Sequence, residues 1–129
     1  MNRKNEREQA FYLIFEKCFS DESINEILEL AEECREFETT EYIRTVFSGV
    51  YENVNEIDEV ISQFSTGWKI DRISKVALAI LRLAIYEIKF LEDIPNGVSV
   101  NEAVELAKEF GLSEDASYVN GLLGAYIRN

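Results

Sequence analysis

The chain has 129 residues, 47% of them hydrophobic, and a formal net charge of −12. That length fits one domain with its own hydrophobic core, and no apolar run reaches the roughly 18–20 residues of a membrane span. Histidine is absent, which excludes Ser-His and Cys-His nucleophile systems and His-ligated metal sites.

The opening segment, "MNRKNEREQAFYLIFEKC", has neither the uninterrupted apolar core nor the small-residue cleavage site of a signal peptide. It predicts cytoplasmic residence. Phe11, Ile14, Phe15, Cys18 and Phe19 recur at i, i+3, i+4, i+7 and i+8, one face of a first helix. Ser23 with Glu26 has the spacing of a capping box and leads into Ile24, Ile27, Leu28 and Ala31. Cys18 and Cys34 both fall on apolar sides and read as reduced core thiols. Thr40 is placed to cap a third helix carrying Tyr42, Ile43, Val46, Phe47, Val50 and Tyr51, and Asn55 a fourth carrying Ile57, Val60, Ile61 and Phe64. Between Asp21 and Glu59 lie thirteen acids and two bases, a net −11 of the whole chain's −12. Both ends of the chain are therefore nearly neutral, and a small basic patch there is compatible with the overall acidity.

The turn "STGWK" interrupts the pattern, with Trp68 expected as an anchor between two halves. The most apolar helix follows, "DRISKVALAILRLAIYEIKFL" from Asp71 to Leu91, expected at the centre of the fold, with Arg82 paired to a carboxylate such as Glu102. In "DIPNGVSVNEAVELAKEFG", Ser99 with Glu102 predicts a capping box, and Gly111 stands where a helix end takes a left-handed residue. Ser113 is placed to cap a last helix carrying Tyr118, Leu122, Leu123 and Ile127. No segment alternates with period two between hairpin turns. The expectation is an all-α, single compact bundle of about seven helices, with small helical subdomains at about 1–66 and 67–129.

A catalytic constellation is missing. Carboxylate pairs such as Glu32–Glu33 and Asp58–Glu59 read as solvated helix faces, and "SGVYENVN" and "FSTGWK" lack the spacing of a phosphate loop. The chain reads as a protein that is not an enzyme, with no cofactor and no metal.

Four blocks carry a specific likeness. They are Leu81-Arg82-Leu83-Ala84-Ile85-Tyr86-Glu87, Asp93-Ile94-Pro95, Val100-Asn101-Glu102-Ala103-Val104-Glu105-Leu106-Ala107-Lys108, and Tyr118-Val119-Asn120-Gly121-Leu122-Leu123. In this order and spacing they resemble the C-terminal half of the NusB family of bacterial transcription antitermination factors. At the front, "REQAFYLIF" resembles the family's first helix through Arg7, Glu8, Ala10, Phe11, Ile14 and Phe15.

The resemblance implies a helical bundle without enzymatic activity in the bacterial cytoplasm. It would bind boxA-type leader RNA together with the ribosomal protein NusE and join the RNA polymerase antitermination complex. The family's RNA contact begins in a basic N-terminal segment, represented here by Arg3, Lys4 and Arg7 among Glu6 and Glu8. Guanidinium and ammonium groups suit phosphates, although a solvated first turn would carry the same residues. Tyr118 would stack an unpaired base or else fill the core, and Ser117 stands where the family usually has a lysine. Phe15 and Ala77 match positions near the NusE contact, while Asn101, at a helix start, and Asn120, with Gly121 allowing close helix packing, are expected to be structural. Two rival readings are a protein-only adaptor with a decayed RNA site and a stand-alone relative of the N-terminal module of ribosomal RNA cytosine methyltransferases. The resemblance leaves monomer and homodimer both open.

Overall fold

Caps and apolar stripes fix the helices of the computed structural model, which describes residues 1–34, 39–65 and 69–129. Among these residues are seven α-helices: α1 (Arg3–Lys17), α2 (Ile24–Cys34), α3 (Glu41–Glu52), α4 (Val54–Phe64), α5 (Lys75–Phe90), α6 (Asn96–Phe110) and α7 (Ser113–Arg128). A short 3₁₀ turn, Ile70–Arg72, precedes α5, and no described helix is long and apolar enough to cross a membrane.

Several start signals act as the sequence predicts. The Ser23 hydroxyl accepts from Glu26 N at 3.1 Å and the Glu26 carboxylate from Ser23 N at 3.3 Å, a complete capping box. Thr40 accepts from Ile43 N. A further cap, not singled out in the sequence, is Asn2, which accepts from Asn5 N at 2.8 Å at the start of α1.

Other expectations are corrected. α4 begins after Asn53, so Asn55 lies inside its first turn. α5 starts at Lys75 rather than Asp71, capped by Ser74, whose hydroxyl accepts from Ala77 N at 3.0 Å. α6 begins just after Pro95, whose fixed φ suits a helix start, so Ser99 sits a full turn inside it and is buried. Gly111 is extended, not left-handed; it is a glycine because a Cβ there would meet the Asp115 carboxylate at 2.7 Å. Asp115 rather than Ser113 caps α7, accepting from Leu112 N at 2.9 Å. Cys34 is exposed and Cys18 half-buried, both as free thiols. Trp68 and the expected boundary at 66/67 lie outside the described residues.

α5 packs against α1, α3, α4, α6 and α7, and α2 rests on α1 and α3. Leu13, Ile14, Ile43, Phe47, Ile80, Leu81, Ile85 and Leu123 meet in one continuous core. α3 comes close to α5 at Gly49, where a Cβ would overlap the Tyr86 ring at 2.3 Å. Arg82 crosses to Asp58 on α4 by two bonds of 3.0 and 2.9 Å, not to Glu102, because α4 flanks that side of α5.

An apolar helix this deeply buried carries one acid that water cannot reach. Glu87, on α5, is 1% exposed. Its carboxylate accepts from Arg7 Nε at 2.8 Å on α1, from Ser99 Oγ at 2.7 Å on α6 and from the Tyr42 hydroxyl on α3. Arg7 also meets Glu102 at 3.5 Å. Burial works against the charged Arg7 guanidinium, yet the hydrogen bond and charge of Glu87 carry its pKa above the ordinary value. Burial and the neighbouring Glu87 charge raise the Tyr42 pKa, so its phenol stays a donor.

Removing Glu87 leaves a buried guanidinium with only the Glu102 carboxylate at 3.5 Å, so Glu87→Ala is expected to cost about 3 kcal/mol in urea unfolding. Arg44→Ala, which breaks the exposed pair with Glu32, should cost less than about 1 kcal/mol. The raised Tyr42 pKa contributes stability in full below the ordinary tyrosine value of 10.0, and that contribution is lost as pH rises beyond it. Unfolding curves should therefore lose stability above that pH less steeply in Tyr42→Phe than in the unaltered protein.

Candidate nucleic-acid interface

The sequence-predicted residues separate into two groups along α5. At its C-terminal end, α1 crosses through the Arg7–Glu87 pair. Arg3 and Lys4, one turn earlier on α1, are exposed. Arg3 lies over the Tyr42 ring, 4.3 Å from its centroid, with Nε 3.4 Å from the Glu6 carboxylate. Arg7 is placed apart from them: it is 6% exposed and its guanidinium already serves Glu87 and Glu102. Its place in the fold is to orient the helix that carries the other two cations.

The second group gathers at the N-terminal end of α5. Tyr118, half-buried on α7, lines a hollow of about 300 Å³ with Arg72, Ser74, Ala77, Glu114 and Asp115. Its hydroxyl shares a hydrogen bond with that of Ser65. Ser74 donates to Asp115 at 3.1 Å, which ties the start of α5 to the start of α7 beneath the hollow. Ser117 is exposed beside it. Ala77 is 1% exposed and forms the floor of the hollow. Ten residues separate Ala77 from Glu87 on α5, about 15 Å of helix axis at 1.5 Å per residue. An extended strand of a few nucleotides covers such a distance.

Phe15 belongs to a run of aromatic rings. Phe110 on α6 contacts Phe11 at 5.3 Å, Phe11 contacts Phe15 at 6.0 Å, and Phe15 contacts the exposed Phe19 at 5.1 Å. Asn101 lies in mid-α6 rather than at a helix start, and Asn120 and Gly121 on the outer side of α7; all three are exposed. A Cβ on Gly121 would meet nothing within 4 Å, so this glycine does not serve close helix packing.

Sequence reasoning missed Glu87 as the hub and the Arg72–Ser74–Asp115 rim of the hollow. The signal for the first was present, since a carboxylate inside "LAIYEIKF" needs a buried partner.

The family model described as the NusB family matches residues 4–128. A transcription antitermination protein NusB of Natranaerobius thermophilus is 48% identical, over 95% of this chain and 92% of its own length. One from Clostridium novyi is 42% identical over 99% of both. Among solved structures, T. maritima NusB superposes with a TM-score of 0.89 at 34% identity, covering all of this chain and 92% of that one. NusB in a crystal structure with NusE and double-stranded RNA superposes with a TM-score of 0.87 at 26% identity, covering 98% of this chain and 96% of that one.

Proposed function

The chain belongs to the NusB family, and we propose that it is a transcription antitermination factor that binds boxA-type leader RNA together with ribosomal protein NusE. The carrying observation is end-to-end similarity to NusB proteins, including one solved with both NusE and RNA. In this role it works in the bacterial cytoplasm as part of the RNA polymerase antitermination complex and promotes ribosomal RNA transcription.

The mechanism is shared binding. Arg3 and Lys4 supply phosphate contacts from the exposed first turn of α1. Tyr118 supplies a stacking surface at the hollow about 15 Å along α5, with Ser117 at its edge. Two exposed cations in one helical turn are few for a polyanion, so this chain alone binds weakly and a basic partner completes the site. NusE docks near Phe15 and Ala77, and the surplus of acids on this chain attracts it and speeds association.

Fluorescence anisotropy of a labelled boxA strand, with and without NusE across a salt series, tests this. Binding should tighten with NusE. Replacing Arg3 and Lys4 together with alanine should flatten the logarithmic salt slope by about 1.4, at roughly 0.7 per phosphate neutralised. No binding in either condition by a folded protein would leave a protein-only adaptor instead. At the other end, Tyr118→Ala should weaken binding by ~1–3 kcal/mol while Tyr118→Phe keeps it, measured in the same assay.

A further inference from the structure

The first turn of a helix has few neighbours, and a long cationic side chain there normally samples many rotamers. Arg3 departs from that. Its guanidinium lies 4.3 Å from the centroid of the Tyr42 ring, and its Nε is 3.4 Å from Glu6 Oε1, while its side chain stays 46% exposed. Glu6 is itself held, because it accepts from the hydroxyl of Thr40, the residue that caps α3. Tyr42 is held more firmly. It is 7% exposed, and its hydroxyl donates to the buried Glu87 carboxylate. Arg3 is thus connected to the centre of the fold through a rigid ring.

We propose that Tyr42 is a positioning residue for RNA binding, its ring holding the Arg3 guanidinium flat so that the outward N–H edge meets a phosphate already oriented. The proposal rests on the RNA-binding reading above and adds a residue on α3 to it. A guanidinium stacked on an aromatic face keeps its in-plane donors, so stacking and phosphate binding are compatible in one geometry. The ordering is done during folding, and less freedom is lost when RNA arrives. Glu87 acts one step further back, fixing the tilt of the ring through the phenol.

The test uses the complete protein with NusE and a labelled boxA strand at fixed salt. Tyr42→Leu should weaken binding about two- to five-fold, the scale of an exposed cation–π contact. Tyr42→Phe, which keeps the ring but loses the bond to Glu87, should weaken binding less than Tyr42→Leu does. In an Arg3→Ala background, Tyr42→Leu should have no further effect. Full affinity in Tyr42→Leu, or an equal loss with and without Arg3, would overturn the proposal. A measurement on the unaltered protein stands even if the leucine variant fails to fold: NMR should place the Arg3 δ-methylene protons upfield, shielded by the ring. Ordinary arginine shifts would overturn the proposal. If the unaltered protein bound no RNA in any condition, the RNA reading would fall and this proposal with it. Binding that needs Arg3 but ignores Tyr42 would sink only the proposal.

Discussion

The Glu87 carboxylate lies in the middle of an apolar bundle and must be satisfied there. Its three donors come from three different helices: Arg7 on α1, Tyr42 on α3 and Ser99 on α6. Each donor can reach it only if its helix has the observed rotation and height against α5. Hydrophobic contacts tolerate small slips of one helix along another, whereas an unmatched buried charge does not. This constraint brings the beginning of the chain against the end of α5 and leaves Arg3 and Lys4 pointing outward. The network is part of the fold and, on the proposed function, also supports the turn that carries Arg3 and Lys4.

Charge is distributed to match. The section from Asp21 to Glu59 carries nearly all of the net negative charge, and α2 within it buries only Ile27, Leu28 and Ala31, leaving its acids at the surface. On the proposed function, an RNA strand would be repelled from that side and would meet cations where α1 begins. In that role Arg3 and Lys4 are few for a polyanion, and a basic partner completes the site. Similar economy governs the other end of α5, where Ser74 and Asp115 join two helix starts beneath Tyr118 and give the aromatic ring a fixed base.

Much of this was legible in the sequence. The helical periods, the Ser23–Glu26 box and the Thr40 cap depend on local spacing, and local spacing decided them. The NusB-like motif order pointed to the family for the same reason. What could not be read was which distant groups meet. Ser99 has the spacing of a cap, yet Pro95 starts its helix earlier and Glu87 claims its hydroxyl. The sequence suggests for Arg82 a carboxylate such as Glu102, and only the packing of α4 beside α5 selects Asp58. Arg7 looks like its neighbours Arg3 and Lys4 until the position of Glu87 is known. Gly111 is explained by the approach of Asp115, four residues on, rather than by backbone sign.

The central claim is that the buried carboxylate holds the first turns of α1 in place. Native-state hydrogen exchange, comparing the unaltered protein with Glu87→Gln, tests it most directly. Backbone amides from Arg7 to Ala10 should lose protection well beyond any loss in α7, showing that the start of α1 opens by itself once its anchor is weakened. Equal loss across all helices, or unchanged protection in α1, would contradict the account.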